Sequence, residues 1–197
     1  MTNWISKFVK PKIKSLFKKR SAGKDKAALW ITCQCKNLIY KDELFNNLSV
    51  CPKCNFHHKL TSQERFSIFF DNKEYTILET PVPRDNPLRF PNYEEKLKKA
   101  REKTKQPDAL LIADGKLDGM RVTVGAQNFF YNGGAVGAAS GEGFLHGIQH
   151  AINNKTPFIF FSASGGQKMQ EGTIALMQMA RTVLAVNEFK KHKLPYI

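Results

Sequence analysis

Sixteen residues, Pro157-Phe-Ile-Phe-Phe-Ser-Ala-Ser-Gly-Gly-Gln-Lys-Met-Gln-Glu-Gly172, constrain the fold of this chain more than any other stretch. Phe158 to Ser162 reads as a buried β-strand, a tight Ser-Ala-Ser-Gly-Gly turn follows, and Lys168 is expected to open a long apolar-periodic helix. A strand that feeds a helix through paired glycines leaves backbone N–H groups unpaired beside the positive end of the helix dipole. Without a Cβ at Gly165 or Gly166, a ligand can approach those groups closely. Such a turn is the raw material of an oxyanion hole. A plain βα connection with nothing bound fits the local pattern equally well.

The rest of the second half supplies the scaffold. Residues 109–117 and 120–127 flank Asp118-Gly119, the strongest short-range hairpin signal in the chain. Arg121 to Val124 alternates as a half-buried strand does. Phe129-Phe-Tyr131 leads into a second glycine-rich turn, Asn132-Gly-Gly-Ala-Val-Gly137, and a helix is expected from about Ser140 to Asn153. A strand from Pro157, a helix to about Phe189 and the first residues of a further strand at Leu194-Pro-Tyr-Ile197 complete the pattern. Strands alternating with crossover helices define an α/β fold. Because the sequence stops as an internal strand begins, the chain is expected to be a C-terminally truncated piece of a longer protein.

The first half is basic and holds every cysteine. A formal net charge of +14 and a pI of about 9.7 suit an acidic partner: nucleic acid, anionic lipid or a polyphosphate ligand. Residues 1–29 read as a basic arm in which Trp4, Ile5, Phe8, Val9, Ile13, Leu16 and Phe17 recur at roughly helical spacing. Pro11 interrupts them. Docking on its own protein and contact with a membrane surface or nucleic acid are the alternatives for this arm. No apolar segment follows it in the manner of a secretory signal, and no apolar run is long enough to span a bilayer, so a cytoplasmic, reducing location is expected.

Under reducing conditions clustered thiols read as metal ligands rather than disulfides. Residues 30–60 carry Cys33-Gln-Cys35, fifteen intervening residues and Cys51-Pro-Lys-Cys54, close to the spacing of a four-cysteine zinc ribbon. The first knuckle is one residue short. Either Cys33 still reaches a structural Zn²⁺, or His57 or His58 substitutes, or the site is weakened. Beyond it, Thr61-Ser-Gln-Glu64 is a capping-box signature for a helix bearing Phe66, Ile68, Phe69 and Phe70. A short strand within 74–79, a proline-rich connection and a polar helix over 93–105 follow. The Glu94/Lys98 and Glu95/Lys99 pairs mark a solvated face of that helix.

Other motifs carry less. Gly141-Glu-Gly143-Phe-Leu-His-Gly147 has one residue too many for a dinucleotide fingerprint, and Gly165-Gly-Gln-Lys168 lacks the spacing of a phosphate-binding loop. His146 and His150, one helical turn apart, read as packing or surface residues. Met177 and Met179 read as core. The glycine turns contain no evident nucleophile, which suits chemistry where backbone N–H groups stabilise an oxyanion such as a thioester enolate. Two other readings stand beside this one. A nucleic-acid-binding zinc ribbon would use the basic charge, and a hydratase or isomerase would need a carboxylate pair that only Glu142 and Glu171 could supply.

Taken together, Trp30-x-x-Cys33 closing on Val50-Cys-Pro-Lys-Cys54, the 132–137 turn, and Phe161-Ser-Ala-Ser-Gly-Gly-Gln-Lys-Met-Gln-Glu171 followed by Leu176-Met-Gln-Met-Ala180 resemble the bacterial acetyl-CoA carboxylase carboxyltransferase β subunits, over residues 30–197. The resemblance implies a crotonase-like ββα spiral, incomplete here, over 61–197. It implies transfer of a carboxyl group from carboxybiotin on a biotin carrier protein to acetyl-CoA, forming malonyl-CoA for fatty acid synthesis. An α subunit would complete an α2β2 tetramer and supply the thioester's oxyanion hole, with ATP used only by a separate biotin carboxylase. Gly165 and Gly166 would form the oxyanion hole for the biotin ureido oxygen. Gly133, Gly134 and Lys168 would contact substrate, and Cys33, Cys35, Cys51 and Cys54 would hold Zn²⁺. Lys168 stands where the family usually has arginine, keeping the charge but not the bidentate geometry.

Overall fold

The computed structural model describes residues 29–197, so the basic arm lies outside the described residues apart from Leu29. The chain divides into two compact units at His58/Lys59.

The first unit is small. Strands β1 (Trp30–Thr32) and β2 (Leu38–Tyr40) pair antiparallel, with Ile31 opposite Ile39. Helix α1 (Lys41–Asn46) follows, and a second turn closes through a Val50–His57 bridge and the Cys51 N–H donating to the Phe56 carbonyl at 2.8 Å. Among the described residues its buried core is Cys33, Ile39, Leu44 and Cys51, with Ile31 half-buried against them. A core with two buried aliphatic side chains among the described residues is small, and a cross-link through the cysteines would stabilise it.

The second unit is built on a four-stranded sheet in the order β3 (Tyr75–Ile77), β4 (Leu110–Leu117), β5 (Met120–Gln127), β6 (Phe158–Phe161). The β4/β5 hairpin turns at Asp118-Gly119 with Leu117 opposite Met120, as the sequence predicts. Strand β6 pairs parallel to β5 after the crossover helix α4 (Ala138–Asn154). Residues 194–197 extend the sheet as the sequence implies: the Phe158 and Phe160 N–H groups donate to the Pro195 and Ile197 carbonyls.

Period-two alternation in β4 sorts the core. Leu111 and Ala113 pack with Phe66 and Phe70 of helix α2 (Ser62–Phe69) and the residue that ends it on one face. Leu110 and Ile112 pack with Phe144, Ile148 and Phe158 on the other, joined by Phe189 of helix α5 (Gly172–Lys191). The predicted capping box is present, with Thr61 Oγ accepting the Glu64 N–H and the Glu64 carboxylate accepting the Thr61 N–H. Helix α3 (Tyr93–Thr104) buries Tyr93, Leu97 and Ala100 on one stripe and leaves Glu94, Glu95, Lys98 and Lys99 exposed.

Three sequence expectations are corrected. Strand β5 is not half-buried: Val122, Thr123 and Val124 are all buried, because helices cover both faces of the sheet. Helix α5 begins at Gly172, not Lys168, after a 3-10 turn over Met169–Glu171, since Lys168 keeps an extended backbone (ψ 97°). Met177 and Met179 are not core. Each is 57% exposed, and α5 turns Ala175, Gln178 and Phe189 inward instead.

Candidate active site

The two glycine-rich turns meet backbone to backbone. The Gly165 N–H donates to the Gly133 carbonyl and the Val136 N–H to the Gly166 carbonyl, both at 2.8 Å. The Lys168 N–H returns to the Val136 carbonyl, also at 2.8 Å, so Val136 and Gln167 form a short parallel bridge. The sequence requires glycine at this junction for two different reasons. At Gly134, with φ +67°, a Cβ would collide with the Ala163 carbonyl oxygen, a backbone atom that cannot yield. At Gly166 the surrounding space is open, but φ is +132°, which other L-residues rarely adopt. Gln127 fixes the start of the turn, its Oε1 accepting the Ala163 N–H at 2.9 Å.

The expectation of two unpaired N–H groups is therefore met at neither glycine in the simple form. The Gly165 N–H is engaged in the junction itself. The Gly166 N–H donates to Ser164 Oγ at 3.1 Å, and that exposed hydroxyl donates in turn to the Gly166 carbonyl at 3.0 Å. A rotatable hydroxyl at the surface is a replaceable acceptor, so the Gly166 N–H is the one an incoming oxygen can take over. Gly166 itself lines a cavity of about 380 Å³, together with Asn132, Gly133, Gly165, Gln167 and Lys96 among others. A more apolar groove of about 440 Å³, between Phe144, Phe160, Val183 and Tyr196, contains none of these four glycines.

Beneath the turns lies a buried ionic cluster. Lys168 Nζ contacts Asp108 Oδ1 at 2.5 Å and Glu171 Oε1 at 3.6 Å, with each of the three side chains under a tenth exposed. Ser140 Oγ donates to Asp108 Oδ2 at 2.5 Å, the Tyr93 hydroxyl to Glu171 Oε1 at 2.7 Å and the Ala138 N–H to Glu171 Oε2 at 2.7 Å. Glu171 thus caps the N-terminus of α4, where Gly137 offers no side chain and a carboxylate is favoured by the helix dipole. Burial, reinforced by the Glu171 carboxylate, pushes the Tyr93 phenol well above its ordinary range. Burial and Asp108 do the same for Tyr131.

The fates of the predicted residues differ. Gly133, Gly134, Gly165 and Gly166 come together as one structure. Lys168 forms part of the cavity wall, but its ammonium is turned inward onto Asp108 rather than toward the cavity. Glu142 and Glu171 do not form a pair: Glu142 is bonded to Arg181 at 2.6 Å, whereas Glu171 holds the cluster. His150 bonds Asp114 at 2.8 Å, in keeping with a packing role. Sequence reasoning missed Asp108, Tyr93, Ser140 and Ser164. For Asp108 the available signal was an acidic residue directly before the continuous apolar run 109–113.

In the first unit the four cysteine sulfurs all lie within 4.8 Å of one another. Cys33 and Cys54 Sγ are 3.7 Å apart, and Cys35 and Cys51 Sγ 3.9 Å. Tetrahedral Zn²⁺ with Zn–S bonds near 2.3 Å requires sulfurs about 3.8 Å apart, so the set is placed to bind a metal. The short Cys33-x-Cys35 knuckle reaches the site because Lys36 takes a left-handed conformation (φ 65°) and its N–H closes on the Cys33 carbonyl at 2.9 Å. Neither His57 nor His58 joins the cluster. Side-chain and backbone donors from Asn37 lower the Cys35 thiol to about 6, toward the thiolate a metal needs, whereas burial and the neighbouring sulfurs raise Cys33 and Cys54.

The sheet, its crossover helices and the joined glycine turns define a crotonase-like α/β domain that follows a zinc ribbon. Among solved structures, transcarboxylase 12S with hydrolysed methylmalonyl-coenzyme A superposes with a TM-score of 0.56, at 21% identity over 67% of this chain and 24% of that one. A Pseudomonas malonate decarboxylase hetero-tetramer in complex with malonate gives 0.51, at 21% identity over 68% and 48%. The family model for the carboxyl transferase domain matches residues 82–197, and that for the acetyl-CoA carboxylase zinc finger domain matches residues 30–54. Proteins named acetyl-coenzyme A carboxylase carboxyl transferase subunit beta are 43% identical in Pelagibacter ubique, over 99% of this chain and 65% of that protein, and 42% identical in Beijerinckia indica, over 99% and 68%. The chain belongs to this family, the carboxyl transferase β subunits of acetyl-CoA carboxylase, and spans about two thirds of the length of these curated relatives.

Proposed function

We propose that this chain contributes the carboxybiotin half of a carboxyltransferase site. The reaction would move a carboxyl group from carboxybiotin, presented by a biotin carrier protein, to acetyl-CoA, giving malonyl-CoA for fatty acid synthesis. The observation that carries the proposal is Gly166, which lines a 380 Å³ cavity in a turn held by a backbone junction and whose N–H is bonded only to a replaceable serine hydroxyl. As the carboxyl group leaves the biotin nitrogen, negative charge develops on the ureido oxygen. A fixed N–H donor aimed at that oxygen lowers the barrier, and one such donor is typically worth about 3–4 kcal/mol. Gly165 serves this role indirectly, by fastening the turn to Gly133. Gly133 lines the same cavity, and Gly134 makes the close backbone approach that seats the two turns together.

The proton lost by acetyl-CoA would end on the biotin nitrogen that gives up the carboxyl group, and the oxyanion hole for the thioester oxygen would belong to an α subunit, in an α2β2 assembly. ATP would be used only at a separate biotin carboxylase. Zn²⁺ held by Cys33, Cys35, Cys51 and Cys54 would be structural, since four thiolates leave no open position. Among the described residues no helix is long and apolar enough to cross a membrane, and the reaction as proposed is cytoplasmic. The test is to purify the protein with the α subunit and supply carboxybiotin and acetyl-CoA. Malonyl-CoA that depends on both substrates and both subunits is the expected result, and none from a folded, associated complex would refute the proposal.

A further inference from the structure

Lys168 lies two residues after Gly166, and both its backbone and its side chain are committed inward. Its N–H holds the junction through the Val136 carbonyl, and its side chain, 5% exposed, ends on Asp108 and Glu171. Those carboxylates reach outward in turn: Asp108 to Ser140 in the first turn of α4, and Glu171 to the Ala138 N–H and to Tyr93 of α3, with Asp108 itself anchored at the entry to β4. A lysine that bound an anionic substrate would present its ammonium at the cavity surface. This one is enclosed.

We infer that Lys168 is a positioning residue: its ammonium, clasped between Asp108 and Glu171, ties the Gly165-Gly166 turn to the N-terminus of α4 and fixes the turn that carries the Gly166 N–H. The inference rests on Gly166 being the oxyanion donor, but the clasp itself has an independent readout. Without the ammonium, two carboxylates face each other in a buried site, and like charges so placed force one of them to take a proton. The other groups facing the cluster are the Tyr93 and Tyr131 phenols, both kept neutral by burial, with Tyr131 5.7 Å from Nζ, and, farther out, Asp85 paired with Arg101. None of these replaces the ammonium. A carboxyl group whose folded pKa is raised above its unfolded value adds stability at low pH and loses it as pH rises through the folded value.

Three variants test this in the complex with the α subunit: Lys168→Met, Lys168→Arg, and Lys168→Met combined with Asp108→Asn. Lys168→Met is expected to lower kcat for carboxyl transfer about tenfold or more while KM for carboxybiotin moves less than about twofold, the signature of a displaced transition-state donor and not of weakened substrate binding. Lys168→Arg retains the charge and is expected to keep kcat within about threefold. The Lys168→Met melting temperature should fall from about pH 5 to pH 8 relative to wild type, and the double variant, with one carboxylate removed, should not show that extra slope. If Lys168→Met does not fold at neutral pH, the double variant is expected to give the same kinetic split. A raised KM with unchanged kcat overturns the inference, and so does a Lys168→Met melting profile parallel to wild type. A wild-type complex that forms no malonyl-CoA removes the functional proposal instead, and the melting profiles still decide whether Lys168 closes the clasp.

Discussion

At the scale of single residues, the site depends on backbone geometry more than on reactive side chains. Gly134 and Ala163 approach so closely that any side chain at 134 must push the two turns apart. Gly134→Ala is therefore expected to destabilise the protein by about 2–4 kcal/mol, read by chemical denaturation, because it combines a clash against backbone with a positive φ. A denaturation midpoint matching wild type would show that the turns are not in contact. The glycines were legible in the sequence because so few backbone conformations demand them. The direction of the Lys168 side chain was not, since nothing local distinguishes a lysine facing a cavity from one whose partner, Asp108, lies sixty residues earlier. Asp108 itself gave only a faint signal, and Ser164 none.

At the scale of elements, the signals that survived folding were those written in short range. The Asp118-Gly119 turn and the Thr61/Glu64 capping box appear where expected, because each is fixed by the conformational limits and hydrogen bonds of four or five consecutive residues. The hairpin carries one tie the sequence did not disclose. Both oxygens of Asp71 accept N–H groups from the turn, from Asp118 and Gly119 at 2.9 Å, and these donors hold the Asp71 carboxyl below its ordinary range. A depressed carboxylate stabilises above its unfolded pKa and loses that contribution as pH falls through the folded value. Asp71→Ala should accordingly melt lower than wild type near neutrality, and the gap should close as pH drops below about 4. A gap independent of pH would contradict the tie. Helix α5 shows the opposite limit of legibility: periodicity identified its apolar residues but not which of them the sheet would cover. Phe189 is buried, whereas Met177 and Leu184 are mostly exposed. Phe189→Ala should cost about 3–5 kcal/mol and Met177→Lys less than about 0.5 kcal/mol, and the reverse order would place α5 on its other face.

At the scale of the whole molecule, a two-sided sheet carries two crossover connections whose glycine turns are joined, and a buried clasp of one cation and two carboxylates anchors that junction to α4. The zinc ribbon was readable from four cysteines despite its short first knuckle, because thiol spacing survives a one-residue change that a left-handed Lys36 absorbs. The central claim is that the junction exists to hold one N–H, that of Gly166, where negative charge develops. It is tested most directly by the rate of carboxyl transfer from carboxybiotin to acetyl-CoA in the complex with the α subunit, comparing wild type with Gly166→Ala. The open space around Gly166 means that this substitution reorients the donor without a packing clash. A fall in kcat of about 10²–10³-fold, with the fold intact, is the predicted result. Transfer at the wild-type rate would contradict it.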